Sequence, residues 1–436
     1  MALRQVETSS ISKLEILSNQ GGKKISLLGG TEAPGPRLAT LLYYESIRQD
    51  TVKAEVIFDD TGGAVDDKST IEGLPLIGTE QVNLTFEDNK ENKIKLQLYV
   101  NKVTPITQDT RKIRIKLDLV SEEYILNEET RLNTRFDGRI SDHVTKILKS
   151  LKTKKKLDIE SSSNNFNFIG NNRKPYYTLN WLSRSAISEK DAQKGSSAGF
   201  FFFETSDGFK FKSIDGLFAQ EKKKSFIYNE TMGEVPSGYD GKILSQQIDN
   251  NINVQQKFQM GAYSTRLVVF DPFNCVYEVI NQSADDTKSG ARLAGKDLPK
   301  FNSKFKSDFT RTTYMLTDKG TLPTGNSQQQ VSKSTEQNFE TQQILNQSIR
   351  RYNQIFSAVQ TITIPGDFSL HAGDAIFVDS PELNPQKDDK INREYGGLYI
   401  IADLCHYISQ KETYTKLNLV RDSFGRKGNH TTNIQP

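Results

Sequence analysis

Residues Ile94-Lys-Leu-Gln-Leu-Tyr-Val100 alternate apolar and polar side chains, and Ile113-Arg-Ile-Lys-Leu-Asp-Leu119 repeats the pattern after a turn near Pro105. A period of two turns one face of a strand inward and the other toward water. Val82-Asn-Leu-Thr-Phe86 and Ala54-Glu-Val-Ile-Phe58 read the same way, as does a hairpin from Leu14 to Leu28 around Gly21-Gly22. Residues 1–120 are therefore predicted to be an antiparallel barrel or sandwich without a helix.

The pattern changes after Ser121. Ile140, Val144, Ile147, Leu148 and Leu151 fall at helical spacing with Ser141 as the expected cap, and a second helix is predicted from Thr178 to Ile187, after Pro175. A strand pair follows, with Phe200–Phe203 facing Phe209–Phe211 across Ser206-Asp207-Gly208. There Asp-Gly favours a tight turn because both residues tolerate positive φ. Residues 121–225 thus form a mixed α/β unit.

Further along, Asn281–Thr335 is polar and predicted to be loop-rich or a small insertion. Phe339, Leu345, Ile349, Tyr352 and Phe356 then mark a helix. It leads into strands at Thr361–Ile364, Ala375–Val378, Leu398–Ile401 and Thr415–Val420, punctuated by Pro365-Gly-Asp367, Ala372-Gly-Asp374 and Gly396-Gly397. The expected plan is a first barrel at 1–120, an α/β domain at 121–225, and a discontinuous second barrel at 226–280 plus 355–425. An insertion with its helix at 281–354 interrupts that barrel, and 426–436 is a tail. The class is mainly β with α+β.

Composition narrows the functional classes. The 436 residues exceed a typical single core. With 35% hydrophobic and 25% charged residues and no apolar run near the roughly 20 residues of a membrane span, neither membrane anchoring nor a secretory signal is expected. The two cysteines, Cys275 and Cys405, lie far apart in strand-like settings and read as buried free thiols. Basic and acidic residues number 57 and 54, so the net charge of +3 attracts nucleic acid weakly.

Catalytic signatures fail on context. Gly195-Ser-Ser197-Ala-Gly199 matches a nucleophile elbow, yet a strand rather than a helix follows the serine, and a flexible loop is the simpler reading. Gly290 to Asp297 approaches a phosphate-binding loop. Asp297 after Lys296 replaces the metal-binding hydroxyl, and Pro299 hinders the helix. His143, His371, His406 and His430 are scattered, so neither a metal nor another cofactor is expected. Acid pairs such as Asp59-Asp60, Glu122-Glu123 and Asp388-Asp389 default to solvated surface. The five Asn-x-Ser/Thr matches, beginning at Asn83, carry little without an export signal. One electrostatic feature survives: nine Arg or Lys against Asp137 and Asp142 between Arg131 and Lys156, ending in Lys154-Lys155-Lys156. It reads as a solvated face, or as a contact for an acidic partner or passing DNA.

The succession of segments resembles a known family. Arg111-Lys-Ile-Arg-Ile-Lys-Leu-Asp-Leu-Val-Ser121, Phe136-Asp-Gly-Arg-Ile-Ser141, Asn172-Arg-Lys-Pro-Tyr-Tyr177 and Gly199 to Leu217 come first. Ile364-Pro-Gly-Asp367, Ala372-Gly-Asp374, Gly397-Leu-Tyr-Ile400 and Leu419-Val-Arg-Asp-Ser423 follow in order. Over roughly residues 50–425 this is similar to the central baseplate hub proteins of T-even-like contractile-tailed bacteriophages. The resemblance implies two tube-type barrels per chain and a homotrimer closing a pseudo-sixfold ring that adapts the tail tube to a trimeric cell-puncturing spike. The implied partners are that spike, a tail tube or tube-initiator protein, the tape-measure protein and baseplate wedge proteins, with phage DNA passing without specific binding. The implied location is the virion baseplate, assembled in the host cytoplasm, and the implied role is structural rather than enzymatic.

Two alternatives stand beside this reading, a tail-associated cell-wall hydrolase and another tube or secretion-spike hub component. A spike fusion would need a long repetitive C-terminus, and only Phe424 to Pro436 follow Ser423. If the barrels line a tube, Lys112, Arg114, Lys116 and Asp118, which share the polar side of one strand, are candidates for channel lining or for a subunit contact; a solvated outer face is equally compatible.

Overall fold

The computed structural model describes residues 9–20, 22–29, 36–63, 68–109, 111–190, 198–228, 235–248, 254–262, 264–272, 275–283, 292–295, 304, 311–318, 320, 326–329, 341–380 and 395–425. The fold is mostly β, as expected. Strands β1 (Ser10–Leu17), β2 (Lys24–Ser26), β3 (Arg37–Ser46) and β4 (Lys53–Asp60) precede a single helical turn, α1 (Thr70–Gly73); β5 (Gln81–Glu87), β6 (Lys93–Gln108) and β7 (Ile113–Val120) follow it. The turn is a correction to the helix-free expectation, and the Ser69 side chain caps it. All neighbours in the order β2-β1-β5-β6-β7-β4-β3 are antiparallel. Leu27 N donates to Leu14 O and Leu38 N to Leu27 O, both at 3.0 Å, which carries the hydrogen bonding from β2 round to β3. Alternation decides the faces: Ile115, Leu117 and Leu119 of β7 are buried with Val56, Phe58, Leu84 and Phe86.

The middle unit comprises α2 (Glu122–Glu129), β8 (Arg135–Phe136), α3 (Ile140–Ser150), β9 (Leu157–Ile159), β10 (Phe168–Ile169), α4 (Pro175–Ser183), β11 (Phe200–Thr205), β12 (Gly208–Ser213) and α5 (Ile214–Ala219). Ser141 is not the cap of α3. Arg139 holds that position, and the Ser162 hydroxyl accepts from Ser141 N at 2.9 Å, so a distant side chain satisfies a donor of the first turn. Helix α4 begins three residues earlier than predicted because Pro175 occupies its first turn, where a missing N–H costs nothing, and it ends at Ser183.

The β11–β12 hairpin pairs as read, Phe202 opposite Phe211 and Thr205 opposite Gly208. Gly208 has φ +126°, and a Cβ there would lie 2.2 Å from Lys156 O. Gly208→Ala is expected to destabilise the fold by about 1–3 kcal/mol or more. Gly22→Ala, at φ +68° with open space around it, should cost about 1 kcal/mol. Urea titration of the two variants would test the difference, and equal midpoints would contradict it.

The last part holds β13 (Lys224–Ile227), β14 (Gly241–Lys242), β15 (Ser245–Ile248), α6 (Val254–Met260), β16 (Ser264–Asp271), β17 (Val276–Ser283), β18 (Arg311–Leu316), α7 (Thr341–Gln354), β19 (Ala358–Pro365), β20 (Ala375–Asp379), β21 (Gly397–Ser409) and β22 (Thr413–Arg421). Here β13-β20-β21-β22-β19-β15 are neighbours, and Ile243 N to Ile227 O with Leu244 N to Thr363 O carry the bonding from β13 back to β19. Two expectations need correction. The unit is not wholly antiparallel, since β13 runs parallel to both β14 and β20. Long excursions rather than hairpins connect β13 to β20, and only such connections permit parallel pairing. Nor do 264–271 and 276–283 join this unit: β16 pairs with β17 and with β18 in a separate three-stranded sheet, so the stretch read as loop-rich supplies strand residues.

Strand β21 also pairs with β3, from Asp403 opposite Ser46 to Ser409 opposite Thr40, merging both β parts into one 14-stranded sheet. Their apolar interiors form one cluster, in which Phe86 meets Phe368 edge-on at 4.8 Å and Phe368 meets His406 at 4.8 Å. Helix α7 lies in the expected place. Among its described side chains Ile344, Ser348, Arg350, Arg351 and Gln354 are buried, whereas Ile349 and Tyr352 of the expected stripe are only half-buried; Phe339 lies outside the described residues.

Candidate functional site

The row on β7 lies on the outward side of the merged sheet, opposite the buried Ile115, Leu117 and Leu119. Its charges are met locally. Arg114 donates Nε and Nη2 to the two carboxylate oxygens of Asp59 at 2.6 and 2.8 Å. Lys116 Nζ lies 3.0 Å from Asp118 and 3.6 Å from Glu55. The bond from Arg114 holds the Asp59 carboxyl below its ordinary range, and the bond from Asp118 raises Lys116. Lys112 is exposed beyond the strand's start, its backbone N–H on Asp109. Half-exposed pairs of this kind add little stability; their consequence is that most of the row's positive charge is neutralised in place.

The β3–β21 pairing extends this surface across both β parts. One transverse row runs Pro365, Tyr414, Tyr407, Leu42, Glu55, Asp118 and Lys102 over seven strands, and another runs Thr363, Lys416, Cys405, Tyr44 and Lys53. Tyr407 and Tyr414 stack at 4.5 Å. Asp403 accepts from Ser46 Oγ at 2.6 Å and from Asn418 Nδ2 at 2.9 Å, and pairs with Arg48. Bases (Lys53, Lys102, Arg114, Lys116, Lys416) and acids (Glu55, Asp59, Asp118, Asp403) are interspersed. Sequence reading singled out only the β7 part of this face. Alternation in Thr413–Val420 and Leu404–Ile408 marks the other outward residues, but nothing in it marks their pairing with β3.

Both cysteine expectations are corrected. Cys275 is exposed at φ +55° in the turn between β16 and β17, and Cys405 is half-buried on the outward face, where burial pushes its thiol pKa up to about 11. Leu404 and His406 take the inward positions around Cys405, so parity alone sends its side chain out.

The basic stretch is partly consumed within the fold. Lys155 Nζ lies 2.5 Å from both Glu123 and Glu204; burial works against its charge, but the two carboxylates outweigh burial and raise its pKa. Arg135 pairs with Asp137, Arg139 with Glu189, and Lys146 lies over the Phe136 ring. Lys149, Lys152, Lys154 and Lys156 remain exposed.

The three described histidines do not form a ligand set. His143 is buried against Phe136, Phe168 and Phe166 O, and burial pushes His406 down to about 4. His371 joins β3 to the second β part: Glu45 Oε1 lies 3.2 Å from its Nδ1 and accepts from Tyr43 Oη and Ser206 N at 2.8 Å, while Oε2 accepts from Ala372 N at 2.9 Å. Among the described residues no group of three or more His, Cys, Asp or Glu could hold a metal, and no helix is long and apolar enough to cross a membrane. A cleft of about 710 Å³ between the middle unit and the second β part holds Asp158, Glu160 and Glu189. There Lys212 binds Asp158 at 2.6 Å, and Glu160 accepts from Ser188 and Ser213. Ser197, Lys296, Asp297, Asp388, Asp389, His430 and the tail from 426 lie outside the described residues.

These features define a structural class, a chain with two β parts joined through one sheet and an α/β unit between them in sequence. That is the fold of phage tail proteins. The tail protein from Neisseria meningitidis MC58 superposes with a TM-score of 0.54 at 9% identity, covering 95% of this chain and 97% of that one. The 43 kDa tail protein of prophage MuSo2 from Shewanella oneidensis does so at 0.50 and 11% identity, covering 94% and 98%. No protein-family profile matches the sequence, and no curated protein does.

Proposed function

We propose that the chain is a structural protein of a phage tail baseplate, the central hub of a contractile tail. It acts as a homotrimer whose two β parts per chain, taken as tube-type barrels, approximate sixfold symmetry where the tail tube meets a trimeric spike. The observation that carries this reading is the single outward face running unbroken from β19 to β6. A conduit for DNA and a tape-measure protein needs a hydrated wall on which phosphates find few unpaired cations, because each free Lys or Arg binds by releasing counterions. A face with Arg114 and Lys116 already paired meets that need. On this reading Arg114, Lys116 and Asp118 line the channel, with Lys112 at its margin, and no catalytic group is assigned.

The test is Arg114→Glu with Lys116→Glu, which sets like charges beside Asp59, Glu55 and Asp118 at a local cost of about 0.2–1 kcal/mol per pair. Tails should assemble, and DNA ejection from purified particles should slow. Failed assembly with normal ejection in the surviving particles would place the row at a subunit contact instead. Cell-wall cleavage by the purified chain alone would favour the hydrolase alternative, with the carboxylates of the cleft as the first residues to substitute.

A further inference from the structure

A ladder of ring contacts crosses the middle unit with a cation at each end. Lys146 Nζ lies 4.7 Å from the centre of the Phe136 ring, Phe136 stacks on Phe168 at 4.7 Å, and Phe168 meets Trp181 edge-on at 5.1 Å. The Arg173 guanidinium closes the row, 5.3 Å from the Trp181 ring and 5.2 Å from that of Tyr177. Helix α3 carries Lys146, the β8–β10 pairing sets Phe136 opposite Phe168, and α4 carries Tyr177 and Trp181. Arg173 lies just before α4, where its carbonyl accepts from Leu132 N at 3.0 Å. Tyr177 is 58% exposed, and Ile169, opposite Arg135 in the β8–β10 pairing, is 50% exposed. Among the described residues neither end cation forms an ion pair, and nor does Arg131, whose guanidinium donates to the carbonyls of Glu128 and Thr130. Two carboxylates close by are already taken, Glu128 by Lys174 and Asp137 by Arg135.

We propose that this ladder is a docking site for an acidic segment of another protein, a step that does not depend on the hub reading above. A guanidinium held over two rings is fixed in place before any partner arrives. Its donors, which no carboxylate of the chain occupies, fit a partner's carboxylate in two parallel hydrogen bonds. Tyr177 and Ile169 add apolar contact beside it, and Tyr and Arg are the residues that most often anchor protein contacts. Single-stranded nucleic acid would need free ring faces for its bases, but Arg173 already stands over Tyr177 and Trp181. A duplex, with a charge about every 1.7 Å, would press phosphates against Glu128 and Asp137 as well as against the cations. A polypeptide can place its carboxylates at the cations alone. At roughly 5 Å per contact the ladder spans at most about 20 Å, the reach of about six extended residues.

The experiment follows the fluorescence anisotropy of three labelled probes titrated with the full-length chain: a short peptide alternating glutamate with leucine, its glutamine counterpart, and a short DNA duplex. The glutamate peptide should bind and the glutamine peptide should not. Arg173→Gln should weaken binding about 10-fold or more, as expected when a hydrogen-bonded charge pair is lost. Lys146→Gln should weaken it about 2- to 5-fold, as for an exposed pair, and carries the test if Arg173→Gln lowers the thermal midpoint. Lys411→Gln removes the same charge from the turn between β21 and β22 and should leave the affinity unchanged. A Lys411 variant weakened as much as the Arg173 variant would reduce the binding to diffuse charge and overturn the site. Binding that neither ladder variant alters, or no binding of the glutamate peptide, would overturn it equally. Tighter binding of the duplex, lost in Arg173→Gln, would make this a nucleic-acid site and sink the proposal.

Discussion

Replacing Arg351 by methionine is expected to lower the stability of the fold by about 3–5 kcal/mol, the cost of leaving buried charges unpaired. Arg351 is 1% exposed, and its guanidinium reaches Asp422 and Asp215 at 2.9 Å and the Arg292 carbonyl at 3.2 Å. It therefore fastens α7 to the start of α5, to the chain just after β22, and to the connection between β17 and β18. Without it, two carboxylates remain in a site from which water is excluded. Urea unfolding should show the loss, and hydrogen exchange should show α7 opening before the merged sheet. The triple variant Arg351→Met/Asp215→Asn/Asp422→Asn should recover much of the stability, because no bare charge is left. A single variant as stable as the wild type would mean that the site admits water.

The Glu45–His371 pair should give the fold a pH-dependent increment that peaks in mildly acidic solution. Burial works to raise the Glu45 pKa, but the hydrogen bond and charge of His371, with the N–H groups of Ser206 and Ala372, outweigh it and hold the carboxyl at about 2. Burial likewise works against His371 carrying charge, but Glu45, Asp207 and Asp374 raise its pKa above the ordinary value. The signs differ. A lowered carboxyl contributes stability that is present above its unfolded pKa and lost as pH falls toward 2. A raised imidazole contributes stability that is present below about 6.5 and lost as pH climbs through its folded pKa. The difference in unfolding free energy between the wild type and Glu45→Gln/His371→Gln should therefore be greatest near pH 5–6 and shrink on both sides. Comparison with the double variant matters, because His406, held near 4 by burial, adds its own loss at acid pH in both proteins. A difference independent of pH would show that the pair does not ionise as described. Glu45→Ala alone should be the more damaging change, about 3–5 kcal/mol, since it strands His371 together with the Tyr43 hydroxyl and two backbone donors.

What the sequence determined by itself is what short periods encode. The alternation of Ile113 to Leu119 assigned each side chain of β7 to a face, Asp207-Gly208 set the β11–β12 turn, and the spacing of Ile140, Val144, Ile147 and Leu148 set the buried side of α3. These depend on residues within a few positions of one another, where φ/ψ preference and periodicity act directly. Charge that neutralises charge is a different matter. Arg114 reads as a free cation until β4 places Asp59 beside it, Lys155 reads as the middle of a basic run until Glu123 and Glu204 close on it, and Arg351 meets Asp215 from 136 positions away.

Sheet neighbours were no more legible. Period two tells which side chains face inward but not which strand lies alongside, so the β3–β21 junction, the parallel pairings of β13 and the separation of β16 and β17 from the second β part were decided only by tertiary packing. The same holds for the small sheet. Phe270, Tyr277 and Tyr314 have the composition of core residues, and only the tertiary structure leaves them exposed.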